Sequence, residues 1–363
     1  MSDASAKAGD VHLTLVARPL PLTVPYVLSF AALDAFDTYY VVAEQGGRRG
    51  WGEATVLPGY GGEDAATLRR EFARVTATMP PSDAAPALRV TAPFLASAVS
   101  CALETLGHEG VWSGLERAVP LAAFCAGDTP VAAAANASRL AAEGFRVLKL
   151  KIGRDGYEED LARVRAVSNA VPRGVTLRLD ANQALSEEAA AGLAKGLEDL
   201  PVALLEQPFA PDAWAAHERL IEQTRVPIML DESIWSENDI DRAAAIGARF
   251  VKFKLAKHGG MEHTRRMIRR AQEHGLGVVL GNGVQSAIGN HLEARLHVDT
   301  GIDTAGEFNG FAKVSAAARS DRMGIASGKL RCGDLEPDLV VKAGRAERAV
   351  QSSHAQVVAP GTA

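Results

Sequence analysis

The chain has 363 residues, 47% of them hydrophobic and 23% charged, which suits one large barrel with an accessory domain, or two medium domains. A net charge of −5 and a pI near 6.0 leave no electrostatic footprint for nucleic acid, and no basic amphipathic segment argues for a membrane surface. Phosphate-rich partners are excluded on the same ground.

In chain order, "MSDASAKAGD" is polar and lacks the apolar core of a secretory signal. No apolar run approaches the roughly 18 residues of a membrane span, so a cytoplasmic protein is expected. Residues 11–55 alternate as strands do, and "TYYVVAEQGGRRGWGEA" reads as a hairpin turning at Gly46-Gly47. Residues 63–106 are rich in alanine and leucine at helical spacing, broken at Pro80-Pro81 and at Pro93. Sheet then helices predicts an α+β domain over residues 1–115. The three cysteines, Cys101, Cys125 and Cys332, lie far apart without metal spacing and read as buried free thiols.

Near Val119 the rhythm changes. Eight short apolar runs, "PLAAF", "RVLKLKI", "VTLRLDA", "VALLEQP", "PIMLDES", "FVKFKLA", "GVVLGNG" and a weak one at "AGEFNGF", alternate with seven helical segments. This predicts a closed parallel barrel over residues 116–325. An open doubly wound sheet is the alternative, but no glycine-rich fingerprint follows the first strand. Residues 326–363 are expected to return to the first domain, and the small, polar end from residue 351 to fray.

Alternation also gives direction. Val175, Leu177 and Leu179 share one parity and face the outer helices; Arg178, Asp180 and Asn182 face the lumen. The same test sends Lys149 and Lys151 inward on strand 2, and Lys252 and Lys254 inward on strand 6. Asp180, Glu206 and Asp231 end strands 3, 4 and 5, spaced 26 and 25 residues apart, about one βα unit each. They should converge at the barrel mouth. Three bare carboxylates together need a cation, and all-oxygen ligands suit Mg2+, with Mn2+ as a substitute. Asn182 and Glu232 lie beside these ligands.

Strands 2 and 6 stand opposite one another, so Lys151 and Lys254 should bracket the α-carbon of a metal-held substrate carboxylate. A lysine base must be neutral, a shift worth roughly 4 kcal/mol. A second ammonium about 7 Å away contributes about 2.4 kcal/mol at an effective dielectric of 20. Lys149 therefore reads as the group that keeps Lys151 deprotonated. Lys252 either does the same for Lys254 or belongs to a barrel-filling ion pair with Arg178. A Schiff-base lysine, or a sugar-phosphate site at "GNG", would leave the three acids unexplained.

Taken together, K-x-K at Lys149/Lys151, "DANQ", "EQP", "DES" and "KLAKHGG" from Lys254 resemble the enolase superfamily. The nearest group is the muconate-lactonizing enzymes, which carry lysines on both strand 2 and strand 6. The resemblance implies a modified TIM barrel, (β/α)7β, under an amino-terminal α+β cap whose loops near residues 21–29 and 57–63 close the mouth. It implies metal ligands Asp180, Glu206 and Asp231, acid–base lysines Lys151 and Lys254, and Mg2+-dependent abstraction of a proton α to a carboxylate through an enediolate. "GEFNG" resembles a cycloisomerase segment and implies an acid or hydrogen-bonding role for Glu307. That favours a cycloisomerase acting on a small-molecule carboxylate as a homo-oligomer. Racemase or epimerase, and a β-eliminating dehydratase or o-succinylbenzoate synthase-like lyase, are the alternatives.

The chain departs from the pattern at Gln285, where a glutamate is common, and at the carboxy-terminal "DLEPDLVV". Asn309 departs from the two-aspartate pattern of a dipeptide epimerase. His258 reads as a loop histidine, and Trp51 and Tyr60 as either pocket lining or packing.

Overall fold

The computed structural model describes residues 10–27, 32–56, 63–154, 156–308 and 310–343. The alternating amino-terminal segment forms an antiparallel sheet of β1 (His12–Val27), β2 (Ala32–Gln45) and β3 (Arg48–Val56). Gln45 pairs with Arg48 across Gly46 and Gly47, whose φ values of 57° and 81° suit the tight two-residue turn expected there. Helices α1 (Ala65–Thr78), α2 (Pro81–Leu88) and α3 (Pro93–Thr105) follow. The prolines that interrupt the helical pattern stand at the first turns of α2 and α3, where a missing N–H costs nothing. Helix α3 lies directly on β3. A Cβ on Gly50 or Gly52 would collide with the carbonyl oxygens of Ala102 or Ala98, so glycine is what permits the close approach.

After the two-residue β4 (Val119–Pro120), the chain alternates as the pattern predicts. The strands are β5 (Ala122–Phe124), β6 (Val147–Lys151), β7 (Thr176–Asp180), β8 (Val202–Glu206), β9 (Ile228–Leu230), β10 (Phe250–Phe253) and β11 (Gly277–Leu280). Between them run α4 (Pro130–Ala142), α5 (Tyr157–Ala170), α6 (Glu187–Leu197), α7 (Trp214–Gln223), α8 (Glu237–Ala245) and α9 (Met261–Glu273), with α10 (Ala287–Asp299) after β11. The seven strands form one parallel sheet in sequential order. The weak eighth strand shrinks to bridges from Gly306 to Leu121 and from Glu307 to Gly281. Ala122 N donates to Gly306 O (2.9 Å) and Glu307 N to Leu280 O (2.7 Å), which closes the ring. Gly306 and Gly310 leave Phe308 as the one large apolar side chain of its parity, too little to extend a strand.

Leu148, Leu150, Leu177, Leu179 and Phe253 are buried against the helices, as parity requires. Leu204, Met229 and Val279 form a small separate cluster among the opposite-parity, lumen-facing positions. Strands β12 (Met323–Ala326) and β13 (Lys329–Cys332) form a hairpin on β4, and α11 (Pro337–Ala343) brings Asp338 to within 2.8 Å of Arg49. All three cysteines are buried and free. No described helix is long and apolar enough to cross a membrane.

Three contacts seat the amino-terminal elements over the barrel mouth. Glu53 of β3 accepts from Ser286 N (2.7 Å), Ser286 Oγ (2.5 Å) and Gly289 N (2.9 Å) at the start of α10. Glu104 of α3 accepts from Met261 N (2.7 Å) at the start of α9. Ser97 Oγ donates to Leu255 O (2.7 Å). Carboxylates at helix starts satisfy orphan N–H groups and meet the positive end of the helix dipole.

Candidate active site

The inward parity of five strands produces a buried ionic layer at the carboxyl ends. Lys151 pairs in register with Asp180, and Asp180 with Glu206; Asp231 follows β9 directly. The three acids are buried, as are Lys149, Arg178 and Lys252. Lys149 Nζ lies 2.7 Å from Asp180 Oδ2, 2.6 Å from Glu206 Oε2 and 2.8 Å from Glu307 Oε2. Lys151 Nζ is 2.6 Å from Asp180 Oδ2 and also contacts Asn182 Oδ1. Across the barrel, Lys252 Nζ meets Glu206 Oε1 (2.9 Å) and Glu307 Oε2 (2.6 Å), and Lys254 Nζ meets Asp231 Oδ2 (2.7 Å). Arg178 Nη1 completes the layer at 2.9 Å from Glu307 Oε1.

The electrostatics follow from this alternation of signs. Burial resists the charge of Asp180, but Lys149 and Lys151 hold it below the usual carboxylate range. Burial likewise resists Asp231, and Lys254 and Lys252 hold it low. Glu206 is pushed up to about 7 by burial and by the charge of Asp180, against Lys149 and Lys252. Lys149 and Lys252 are raised, because Glu206 and Glu307 outweigh the burial that opposes their charge. The charge on Lys149 is thus engaged by Asp180, Glu206 and Glu307 as well as standing two residues from Lys151. Lys252 sits in a barrel-filling ion network; its partners are acids, while Arg178 shares Glu307 with it. Glu307, buried among Lys149, Lys252 and Arg178, is held well below its ordinary value despite the burial.

Among the described residues, no three His, Cys, Asp or Glu side chains are already gathered into a metal cage. The reason is visible: the oxygens are drawn onto the surrounding ammonium groups. The donor set nonetheless fits a hard divalent cation. It is all oxygen, it comes from neighbouring strands at one level, and Asp231 Oδ1 is buried with no hydrogen-bond partner. Asp180, Glu206 and Asp231 are the residues that would hold the ion.

The supporting residues explain the motifs. Asn182 (φ 41°), Gln183 (φ 71°) and Gln207 (φ 37°) adopt left-handed backbone just past the ligand strands, a conformation maintained only by surrounding bonds. Gln207 Oε1 accepts from Asp231 N (2.9 Å) and its Nε2 donates to Ser233 Oγ (2.8 Å), so the glutamine of "EQP" orients the acid of "DES". Asn182 Nδ2 donates to Glu232 Oε1 (3.1 Å), which joins the two residues expected beside the ligands.

Lys257, not singled out in the sequence, donates to Asp231 O (2.7 Å) and lies 4.5 Å above the Trp235 ring; burial pushes its pKa down to about 8. Its place three residues after Lys254 was the available signal. Asp160 accepts from Gly153 N (2.6 Å) and contacts Arg163, whose Nη2 donates to Lys151 O (2.9 Å); this buried pair on α5 fixes the Lys151 backbone.

His258 is a buried brace rather than a free loop residue. Nε2 bonds Ile234 O (3.1 Å), Nδ1 takes the Lys254 N–H (3.1 Å), and burial lowers its pKa to about 3. Gln285 belongs to a buried amide cluster, accepting from Asn282 Nδ2 at 3.1 Å. Trp51 packs in the main core, its backbone N–H bonded to Thr105 Oγ1 (2.7 Å). Tyr60, Asn309, the tail from residue 351, and residues 28–29 and 57–62 of the expected closing loops lie outside the described residues, whereas residues 21–27, expected as a loop, continue β1 and pair with β2 at Tyr26 and Val27.

Comparison with known proteins bears on the family and the fold. Residues 132–331, more than half of the chain, match the family model for the enolase C-terminal domain-like fold. The chain is 27% identical to the L-Ala-D/L-amino acid epimerase of a Maribacter species over 79% of this chain and 87% of that enzyme. It is 30% identical to the L-Ala-D/L-Glu epimerase of Bacillus subtilis, with only 45% of either protein aligned. It is 33% identical to muconate cycloisomerase 1-2 of Acinetobacter lwoffii over 43% of this chain and 40% of that enzyme. Its fold superposes on the dipeptide epimerase of Cytophaga hutchinsonii, solved with Mg and D-Ala-L-Val, with a TM-score of 0.76 at 21% identity, covering 90% of this chain and 94% of that one. The chain is a member of the enolase superfamily, in the group of mandelate racemase and the muconate-lactonizing enzymes.

Proposed function

We propose that the protein is a Mg2+-dependent racemase or epimerase, moving a proton at the carbon α to a substrate carboxylate. The observation that carries this reading is the opposed pair of lysines. Lys151 and Lys254 end strands four places apart in the ring, and each reaches a different outer member of the acid row, Asp180 or Asp231, within 2.7 Å. An α-carbon held over that row lies between two amines. When bound by Asp180, Glu206 and Asp231, Mg2+ supplies the positive charge that holds the substrate carboxylate and offsets the charge built up there. Of the two lysines, the neutral one takes the α-proton from its own face, and the protonated one returns a proton to the other. Arg163 and Asp160 hold the Lys151 backbone during this exchange, and His258 holds that of Lys254.

Cycloisomerisation was favoured in the sequence by Glu307 as an acid. Three cations clamp that side chain as a carboxylate, which leaves it no proton to give, so it serves as their counter-ion. Epimerases among the relatives point the same way. The test is α-hydrogen exchange in D2O, followed by NMR on each enantiomer of a panel of α-substituted carboxylic acids. The wild type with Mg2+ exchanges both enantiomers, and EDTA stops it. Lys151→Ala abolishes exchange from one enantiomer and Lys254→Ala from the other. Exchange of both enantiomers surviving in either variant, or exchange insensitive to EDTA, refutes the mechanism.

A further inference from the structure

One fully buried acid stands outside the ionic layer. Glu293 of α10 accepts at Oε1 from Leu255 N (3.0 Å), the residue after Lys254. The Leu255 carbonyl takes Ser97 Oγ of α3 (2.7 Å), and His258 Nδ1 takes the Lys254 N–H (3.1 Å). Buried side chains thus hold the backbone on both sides of the lysine. Glu293 Oε2, by contrast, is buried with no hydrogen-bond partner among the described residues.

The amides beside it are oriented by backbone carbonyls. Asn290 Nδ2 donates to Gln285 O (3.0 Å) and Ser286 O (2.8 Å), which engages both its hydrogens and leaves Oδ1 as an acceptor. That oxygen accepts from Asn282 Nδ2 (3.0 Å), as does Gln285 Oε1 (3.1 Å). The Asn282 amide is thereby fixed, and its Oδ1 is left buried and unpartnered. The Asn282 side chain adjoins the Glu293 carboxyl. Two unmet oxygens meet there, and an unmet buried oxygen is costly. An amide oxygen cannot supply the missing hydrogen, whereas a carboxyl can.

We infer that Glu293 is a neutral carboxylic acid whose Oε2–H donates to Asn282 Oδ1, and that in this form it is a positioning residue for Lys254. Oε1 holds the backbone just past the lysine, and Oε2 ties that hold to Asn282 in the loop leaving β11, the strand beside β10. The positioning role rests on the reading above, in which Lys254 serves one face of the α-carbon; the proton does not. The surroundings agree. Burial holds the carboxyl well above its ordinary 4.5, against the Leu255 N–H, the Asn282 amide and the charge of Lys254, while Glu53 acts in the same direction as burial. Cys101 of α3 also faces Glu293 and is itself kept a thiol by burial.

The test uses the full chain with Mg2+. The infrared difference spectrum between wild type and Glu293→Gln at neutral pH should contain the carbonyl stretch of a protonated carboxyl. The folded chain keeps a proton that the unfolded chain releases above about pH 4.5. Urea unfolding between about pH 5 and 7 should therefore show the wild-type folding constant falling about tenfold per pH unit relative to Glu293→Gln. Glu293→Gln keeps an acceptor for Leu255 N and a donor for Asn282, and should keep the ratio of α-exchange rates for the two enantiomers. Glu293→Met loses both, and should slow the enantiomer that depends on Lys254 about tenfold relative to the other. Absence of the band, or parallel pH curves, overturns the neutral acid. An unchanged ratio in Glu293→Met, or an equal change in Glu293→Gln, overturns the positioning role. Because the ratio is read within one variant, a general loss of folded protein does not imitate the effect. A wild type that exchanges neither enantiomer sinks the proton-transfer reading and the positioning with it, and the band still decides the proton.

Discussion

Replacing Lys252 by methionine tests whether the lumen is held by charge balance. Lys252 is 4% exposed, and its ammonium lies 2.9 Å from Glu206 and 2.6 Å from Glu307. Methionine matches the stem in length and flexibility, so little cavity is left and the change is chiefly the loss of one buried cation. Breaking a buried ion pair by removing one partner costs about 3–5 kcal/mol. Glu206 keeps Lys149, and Glu307 keeps Lys149 and Arg178, which places the loss near the lower end, about 3 kcal/mol. At about 2.1 cal/mol/K of unfolding entropy per residue, a chain of 363 residues loses about 1.3 °C per kcal/mol, so the Tm should fall by about 4 °C. Urea and thermal unfolding, each without and with Mg2+, read the result. The gap between variant and wild type should narrow with Mg2+, because a divalent ion on Asp180, Glu206 and Asp231 replaces the missing charge and stabilises by mass action. A loss below about 1 kcal/mol, or a gap indifferent to Mg2+, would refute the argument. The same variant decides whether Lys252 tunes Lys254, since an unmoved pH–rate profile discards that idea.

Two further outcomes follow from the braces behind the lysines. His258 has a folded pKa of about 3, below its ordinary 6.5, so the unfolded chain binds a proton that the folded one refuses. Its stabilising contribution is complete above pH 6.5 and is lost as pH falls toward 3, at about 1.4 kcal/mol per pH unit. Glu63, pushed up to about 7 by burial, acts in the opposite sense between pH 4.5 and 7, so only the difference between wild type and His258→Gln isolates the imidazole. Between pH 4 and 6 the urea-derived stability curve of His258→Gln should be shallower by that slope, and parallel curves would exclude the assignment. Asp160→Asn keeps the shape of the side chain but weakens its hold on Gly153 and Arg163. Exchange of the enantiomer that depends on Lys151 should slow by about tenfold in kcat while the other is spared. Equal losses for both enantiomers would mark Asp160 as a fold residue only.

The one-dimensional pattern was enough for the barrel, the inward parity of Lys149, Lys151, Asp180, Lys252 and Lys254, and the row of acids one βα unit apart. Each rests on a local repeat, period two along a strand and about 25 residues along the chain, and such repeats survive without knowledge of partners. Even the weak eighth strand was placed correctly at Gly306 and Glu307, although its length was decided by pairing with Leu121 and Gly281.

Partner choice belonged to the tertiary structure. Lys149 and Glu307 meet across 158 residues of chain, and Arg178 joins them from another strand, so Glu307 is a clamped anion where the resemblance of its segment implied an acid or hydrogen-bonding role. His258 looked like a loop residue because its bond to Ile234 O, across 24 residues of chain, exists only once β9 and β10 lie side by side. Lys257 offered no signal beyond its spacing three residues after Lys254. Its surroundings are assembled from Asp231 at a neighbouring strand end and from Trp235, and in a low-dielectric interior it is those surroundings, more than the residue type, that set what a charged group can do.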